Sequence, residues 1–221
     1  MQRTHRSFVR PRLVGAALLV VLVVAMVLNT RFLTPQEVAA IAPKAFDPAQ
    51  IATDLYAKAQ SGLTAGAAPL GQVVPAFQSD VKAAANTFKA TSPNEGAYVF
   101  PVTATATVTE ATATALKLQV DGVPAQTQIL VPLTTAVNGA AVRDGMGFTF
   151  GQAPDQTRYQ YVADELRKLM LAALATAVPD PAAVQGKKVT VLGVVAVLAT
   201  GAAVPAAKPV NIQPISIKVT S

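Results

Sequence analysis

The sequence predicts a mainly β protein of the α+β class, in which a transmembrane helix precedes a small β-barrel. Two observations support this fold class. An uncharged apolar run at residues 13–28 follows four arginines, and apolar and polar residues alternate with period two in several segments beyond residue 97. The 221-residue chain leaves about 190 residues after the apolar run, enough for one domain or two small ones.

The basic residues of the chain are concentrated at its N-terminus. The formal net charge is +6, but five arginines and no acidic residue lie in the first 31 residues, and the rest carries 13 Lys and Arg against 12 Asp and Glu. Nucleic-acid binding requires a basic face on the folded domain. A nucleic-acid partner is therefore not expected.

The apolar run predicts a signal anchor. Residues 1–12 are expected in the cytoplasm, residues 13–33 in the membrane and residues 34–221 outside the cytoplasm, because basic residues that flank a membrane helix stay inside. The expected location is the cell membrane, with a single pass. The alternatives are a cleaved signal peptide, with an Ala-x-Ala site at 40–42, and a buried core helix.

Two helices are expected at the start of the exported part. Asp47 followed by Pro48 is typical of a helix N-terminus and lies within a helical segment at 34–60. A stretch rich in Gly, Ala and Pro at 61–75 is expected to interrupt it, and a second helix follows at 79–90. The apolar face of the first helix is predicted from three residues at helical spacing: Ile51, Leu55 and Ala59.

Period-two alternation next predicts an antiparallel meander of three strands. The strands cover residues 98–109, 113–121 and 126–132, and Asp121 with Gly122 supplies a turn. The first strand has apolar residues on one face and threonines on the other. Because β-branched residues are common on solvated strands, the threonine face is interpreted as solvent-exposed and not as a binding face.

Helical spacing returns at residues 154–176. Asp164 and Lys168 lie four residues apart and predict an ion pair on the solvated face of this helix. The adjacent carboxylates Asp164 and Glu165 do not face each other on a helix, so they form a poor acid/base pair. This helix is expected to have a structural role.

Two final strands complete the predicted barrel, at residues 187–198 and 210–219. Apolar residues change parity near Gln213 and Pro214, which predicts a β-bulge or a kink in the last strand. Such features are typical of OB-like small barrels. Two β-rich stretches, 91–150 and 182–221, would also permit two lobes joined by the long helix.

The residue composition excludes most catalytic machinery. The chain has no Cys, and its single His is His5 in the basic tail. Thiol nucleophiles, histidine-based triads and multi-histidine metal sites are therefore excluded from the exported part. No serine there lies in a Ser-x-x-Lys or Gly-x-Ser-x-Gly motif. No enzyme activity, no catalytic residue, no metal and no cofactor are expected.

One polar cluster stands out between the third strand and the long helix. Arg143 and Asp144 are adjacent, next to glycines and aromatic residues, so they can pair with a polar ligand or with each other. The candidate residues for recognition of a ligand or partner are Asn138, Gly139, Arg143, Asp144 and Gln156. The alternative interpretation is a surface turn with a weak ion pair.

These residues also carry a resemblance to a known family. Five pieces occur in the family's order and spacing: Phe46-Asp47-Pro48, the 139–144 stretch similar to Gly-Thr-Ala-x-Arg-Asp, Gln156, the strand at 186–193, and 212–219 with its internal proline. The chain resembles exported or lipid-anchored bacterial proteins of unknown function, often encoded beside sugar ABC-transporter genes. The resemblance implies an OB-like, two-lobed β-rich fold and an accessory role in uptake.

Three departures from the family pattern concern the candidate site or the anchor. Ala140 stands where the family tends to have Thr, and Asp155 where it tends to have Asn. Many relatives look like lipoproteins, whereas this chain has no Cys, so an anchor would have to be the transmembrane helix.

The sequence therefore favours one function and leaves two others open. The favoured function is a membrane-anchored extracytoplasmic accessory or binding protein, with a sugar ABC transporter or a solute-binding protein as partner. The alternative is an envelope structural or interaction module without a small-molecule ligand. An enzyme that uses carboxylates such as Asp144 is the least favoured class.

Overall fold

The computed structural model describes four ranges of the chain, 11–30, 33–37, 45–199 and 201–220, with side chains from residue 15 onward. The basic tail at 1–10, Arg31 and the Ala-x-Ala site at 40–42 lie outside the described residues. The chain forms two compact units, Met1–Ala45 and Phe46–Ser221.

Helix α1 of the first unit covers Pro11–Asn29. Its large apolar side chains from Leu18 onward are exposed, from 49% at Val23 to 81% at Leu28. Among the residues that the structure describes, no helix combines the length and the apolar character that crossing a membrane requires. The transmembrane anchor stays a prediction.

The second unit contains five helices and seven strands in its described part. The helices are α2 Pro48–Gly66, α3 Leu70–Ser79, α4 Val81–Thr87, α5 Gly139–Gly145 and α6 Gln156–Ala177, with 3₁₀ turns at Phe150–Gln152 and Ala182–Val184. The strands are β1 Ala68–Pro69, β2 Thr91–Asn94, β3 Ala97–Ala111, β4 Ala115–Val120, β5 Ile129–Pro132, β6 Lys188–Leu198 and β7 Val210–Thr220.

Five of the strands close into a barrel. β3 pairs antiparallel with β4, β4 with β5, and β6 with both β3 and β7, while β5 and β7 pair in parallel. The short strands β1 and β2 pair with β3 outside this ring. The two β-rich stretches at 91–150 and 182–221 therefore contribute strands to one sheet.

Alternation along β3 separates the barrel interior from its surface. The apolar side chains are buried, with 0 to 4% of their surface exposed: Phe100, Val102, Ala104, Ala106 and Val108. The threonines between them are exposed or half-buried, as the sequence predicted. Phe77 of α3 covers one end of this core, with its ring centroid 5.7 Å from that of Phe100.

The predicted β-bulge in the last strand is confirmed. Leu192 pairs with Ser216 and Gly193 with Pro214, so Ile215 is the extra residue of β7. A Cβ on Gly193 would lie 2.3 Å from the Gln213 carbonyl oxygen, so only glycine fits opposite the bulge. The buried Tyr56 hydroxyl of α2 donates to the Ile215 carbonyl at 2.7 Å, which satisfies the acceptor that the bulge frees from the ladder.

The predicted N-cap of the first helix is confirmed, but the predicted helical segment at 34–60 is wrong in its bounds, because residues 45–47 are not helical and α2 ends at Gly66. Asp47 caps it and accepts from the Ala49 amide at 3.0 Å. The predicted interruption at 61–75 is confirmed but is shorter than predicted, since only residues 67–69 are not helical: α2 continues to Gly66, and α3 begins at Leu70 and includes Pro75. Of the predicted apolar face, Ala59 is buried, whereas Ile51 and Leu55 are only half-buried. The other buried residues of α2 are Ala52, Tyr56 and Leu63.

The long helix α6 is found where it was predicted, but its predicted ion pair is wrong. Lys168 Nζ lies 2.6 Å from Glu165 Oε1, one turn away, instead of pairing with Asp164. The side chains that α6 buries are Val162, Ala163, Leu166, Met170 and Leu174.

Candidate functional site

The candidate cluster begins with the N-cap of α5. The Asn138 side chain accepts a hydrogen bond from the Ala140 amide at 3.0 Å, and the Asn138 amide donates to Gln213 Oε1 at 2.7 Å. Asn138 therefore starts the helix and ties it to β7. Its described contacts are structural.

Gly139 allows α5 to pack closely against α6. A Cβ at this position would lie 1.9 Å from the Ala163 carbonyl oxygen and 2.7 Å from the Arg167 amide nitrogen. The Arg167 guanidinium reinforces the contact, since its Nε donates to the Val137 carbonyl at 3.0 Å. Gly139 is therefore needed for the approach of two backbones, and no side chain larger than hydrogen fits.

Arg143 is the buried charge of the cluster, with 4% of its surface exposed. Its Nε and Nη2 both lie 2.9 Å from Asp144 Oδ1, and Nη1 donates to the Tyr159 carbonyl at 3.1 Å. Its guanidinium carbon also lies 3.5 Å from the centroid of the Tyr159 ring. The charge is thus compensated by a carboxylate, a carbonyl and an aromatic face.

Tyr159 of α6 contacts both members of the Arg143–Asp144 pair. Its hydroxyl donates to Asp144 Oδ1 at 3.1 Å. Burial raises the pKa of the Tyr159 phenol, and the neighbouring Asp144 carboxylate raises it further, while Arg143 acts in the opposite direction. The phenol stays neutral at physiological pH and acts as a hydrogen-bond donor.

Two phenylalanines extend this cluster to the surface. Phe148 stacks on Tyr159 with ring centroids 6.0 Å apart, and Phe150 contacts Tyr159 edge-on at 5.8 Å. Gly147 has φ +75°, a left-handed conformation that turns the chain between Asp144 and these rings. The side chain of Phe150 remains 52% exposed.

A cleft of about 400 Å³ opens beside these residues. Its lining includes residues 91–94 of β2 and, from α5, the segment after it and the start of α6, Asp144, Phe148, Phe150, Gln156, Tyr159 and Gln160. Three predicted residues, Arg143, Asp144 and Gln156, therefore meet at one cleft. Asn138 and Gly139 are not among its lining residues.

The chemistry of the cleft is recognition by hydrogen bonds and an aromatic surface. The described hydrogen bonds of Asp144 all use Oδ1, which leaves Oδ2 as the carboxylate oxygen for a ligand. Gln156 and Gln160 carry amides that both donate and accept. Among the described residues, no group of three or more His, Cys, Asp or Glu could hold a metal ion.

Sequence reasoning missed the contribution of Tyr159, Phe150 and β2 to this cleft. In the sequence, Tyr159 shares helical spacing with Val162 and Leu166, a pattern that indicates an apolar helix face and not a binding residue. The available signal was its position three residues after Gln156, which places both side chains on one side of a helix. No local pattern predicted β2, because Thr91–Asn94 contains a proline and no alternation of apolar residues.

The barrel and its insertion define a class of protein. Five strands in this order, with helices α5 and α6 between β5 and β6, make an OB-fold, and the insertion carries a cleft of small-ligand size. The crystal structure of an OB-fold protein from Thermotoga maritima matches the chain with a TM-score of 0.64 and 16% identity, over 80% of this chain and 100% of that chain. The OB-like, mainly β fold is therefore confirmed.

The chain belongs to the family described as predicted periplasmic lipoprotein (DUF2291), whose model matches residues 18–218. The resemblance drawn from the sequence to exported or lipid-anchored proteins of unknown function is thereby confirmed. The protein is a membrane-associated extracytoplasmic protein. No curated protein matches the chain significantly.

Proposed function

We propose that this protein is an extracytoplasmic accessory protein, held at the membrane by its N-terminal helix, that binds a neutral, hydroxyl-rich small molecule of the sugar class. The observation that carries the proposal is the cleft beside Arg143 and Asp144. It combines an exposed aromatic ring with a carboxylate and amides in a space of about 400 Å³.

The paired state of Arg143 argues for a neutral ligand. An anion-binding arginine presents its N–H groups to the ligand, whereas this guanidinium is buried, bonded to Asp144 and stacked on Tyr159. Asp144 Oδ2 accepts hydrogen bonds, as a hydroxyl-rich ligand requires. An anionic ligand would be repelled by the Asp144 carboxylate, and Arg143 could not compensate because it is already paired with Asp144.

Phe150 supports a ligand that also has an apolar face. A sugar ring exposes C–H groups on one face and hydroxyls around its edge, so it packs on an aromatic ring while its hydroxyls reach polar side chains. Phe150 exposes half of its surface at the cleft, and Gln156 and Gln160 line the same cleft.

The membrane anchor is part of the same proposal. The apolar run at 13–28, with four arginines before it, supports a helix whose N-terminus is cytoplasmic. The exposed apolar side chains of α1 need a nonpolar environment. Because the chain has no Cys, α1 is the proposed means of attachment in place of a lipidated cysteine.

The proposed partner is a sugar ABC transporter or its solute-binding protein, and no catalytic role is proposed. This part of the proposal comes from the family resemblance. Deletion of the gene is expected to lower uptake of a transported sugar. Unchanged uptake of every sugar tested would remove the transport link and leave the ligand site to be tested separately.

A thermal-shift measurement on the purified full-length chain tests the ligand. Neutral mono- and disaccharides, sugar phosphates and inorganic phosphate serve as probes. A ligand at about 100 times its Kd adds about 2.7 kcal/mol to native stability, so the Tm should rise with a neutral sugar and not with phosphate. No shift with any neutral sugar contradicts the proposal.

The matched control compares two exposed aromatic residues. Phe150→Ala is expected to abolish the sugar-dependent rise in Tm, whereas Tyr161→Ala should leave it intact. Phe150 is 52% and Tyr161 51% exposed, but only Phe150 lines the cleft. Equal effects of the two substitutions would show that the cleft does not bind the sugar.

The internal contacts of Arg143 favour a second candidate function. Its three guanidinium nitrogens all contact Asp144 of α5 or the Tyr159 carbonyl of α6. A purely structural role, in which this pair joins α5 to α6, would explain these contacts. The protein would then be an envelope interaction module without a small ligand. In that case Arg143→Ala would lower the Tm, and no sugar would raise the Tm of the unaltered chain.

A further inference from the structure

A second polar surface lies on the outside of the barrel, away from the candidate cleft. The pairing registers place Lys188 of β6 between Thr107 of β3 and Thr220 of β7. One pair further along, Thr190 lies between Thr105 and Lys218. Two lysines and several threonines therefore occupy neighbouring positions on three adjacent strands.

Burial shows that these side chains share the outer face. Their sequence neighbours Val189 and Val191 are fully buried in the barrel, and successive side chains of a strand point to opposite faces. Lys188 and Lys218 are exposed, as is Thr105. We call this surface the lysine face, and it consists of Thr105, Thr107, Lys117, Lys188, Thr190, Lys218 and Thr220.

The lysine face is basic although the second unit as a whole is nearly neutral. Lys117 of β4 lies opposite Glu110 in the β3–β4 pair, and Asp121 follows the end of β4. Among the described residues, no ion pair involves Lys188 or Lys218. The charge of these two lysines is therefore available to a partner.

A purely structural reason for Lys188 is weak. Lysines often protect unpaired edge strands from aggregation. β6, however, is hydrogen-bonded on both sides, to β3 along Ala97–Thr107 and to β7. Lysine also has a low preference for strands, so neither edge protection nor propensity explains its position.

We propose that the lysine face docks on the anionic headgroups of phospholipids in the membrane with which the protein is associated. A headgroup phosphate accepts hydrogen bonds from ammonium and hydroxyl groups, and the face presents both kinds of donor. Charge complementarity between an anionic surface and exposed lysines supplies the attraction. The inference rests on the membrane association of the family, not on the ligand of the cleft.

The absence of Cys from the chain allows a clean test with the full-length protein. Thr105→Cys places a single fluorophore on the lysine face, and Gln60→Cys places one on the exposed side of α2. The labelled chains are incorporated into vesicles of phosphatidylcholine, with or without phosphatidylglycerol, that contain a headgroup-linked quencher. We expect quenching at Thr105→Cys that is greater with phosphatidylglycerol than without it. We expect no quenching at Gln60→Cys.

Charge removal tests the role of the lysines themselves. Each lysine near an anionic surface contributes roughly a five-fold factor to binding, so Lys188→Gln with Lys218→Gln should lower the docked-to-free ratio about 25-fold. The exposed Lys58 and Lys82 of α2 and α4 provide the matched double substitution, which should change little. Equal quenching without phosphatidylglycerol, or no effect of removing Lys188 and Lys218, overturns the proposal.

Flotation of the same samples separates this inference from the proposed anchor. Association of the chain with pure phosphatidylcholine vesicles reports on α1, because these vesicles have no net charge. A chain that floats with them, but shows no quenching at Thr105→Cys even when the vesicles contain phosphatidylglycerol, has an anchor and no docking face. A chain that floats and is quenched only with phosphatidylglycerol has the docking face and no anchor.

Discussion

At the scale of single residues, two helical glycines show how packing decides the effect of one methyl group. Gly139 of α5 lies against the backbone of α6, where a Cβ would come within 1.9 Å of the Ala163 carbonyl oxygen. Gly62 of α2 has no atom within 4 Å of the same position. Substitution by Ala should therefore change the free energy of unfolding in opposite directions at the two sites.

We predict that Gly139→Ala destabilises the protein and Gly62→Ala stabilises it. The first must move α5 away from α6, at a cost of about 1–3 kcal/mol or more. The second lowers the conformational entropy of the unfolded chain and should add up to about 1 kcal/mol. Urea denaturation of both variants measures the two changes, and a neutral result for Gly139→Ala contradicts the described contact.

The candidate residues were only partly predictable from the sequence. Arg143 and Asp144 were found because adjacent opposite charges are visible in a linear sequence. The sequence could not show that Gly139 lies outside the cleft, because its position depends on how α5 packs against α6. Tyr159 lies 16 residues from Arg143 and reaches it only because α6 packs against α5.

At the scale of secondary-structure elements, α6 depends on a capping carboxylate beside the cleft. Asp155 accepts from the Arg158 amide at 2.7 Å and pairs with its guanidinium. The pKa of Asp155 is held below its ordinary value, mainly by the hydrogen bond from the Arg158 amide and to a smaller extent by the Arg158 guanidinium. A lowered pKa in the folded state stabilises the protein above the unfolded pKa, near ~4, and this contribution disappears as the pH falls through the folded value.

We predict that Asp155→Asn removes this pH dependence while keeping the cap. Asn is also a good N-cap residue but does not titrate. The unaltered chain should have the higher Tm at neutral pH, and the difference should vanish as the pH falls below ~4. Tm measured for both proteins between neutral and acidic pH checks this. A difference that is constant with pH would show that the Asp155 charge has no role.

Element boundaries were less predictable than the elements themselves. The region 61–75 was expected to break the helix because of its glycines and prolines, yet α3 contains Pro75. A proline inside a helix costs about 3 kcal/mol relative to Ala. This cost is offset by the burial of four apolar side chains, each with 1% or less of its surface exposed: Leu70, Val73, Val74 and Phe77. Their contacts are with distant parts of the chain, so a local pattern does not show them.

At the scale of the whole molecule, the strands were predictable but the closure of the barrel was less so. Alternation located β3, β4, β5 and β7, because each has one face in the core, and a nearly continuous apolar run located β6. The parallel pairing of Ile129 with Val210 joins residues 81 positions apart and leaves no local signal. The bulge was predictable because a change of parity requires one extra residue, here Ile215.

The proposed orientation of the chain in the membrane is based on its charge distribution, and single cysteines can test it. We predict that an impermeant maleimide added outside the cytoplasmic membrane labels Gln60→Cys but not Ser7→Cys. Gln60 is exposed in the second unit, Ser7 lies among the N-terminal arginines, and no native Cys competes. Lysis should make Ser7→Cys reactive, which shows that the residue is retained and was protected. Labelling of Ser7→Cys alone before lysis would mean the opposite orientation, and loss of the N-terminal residues from the mature mass would mean a cleaved signal peptide.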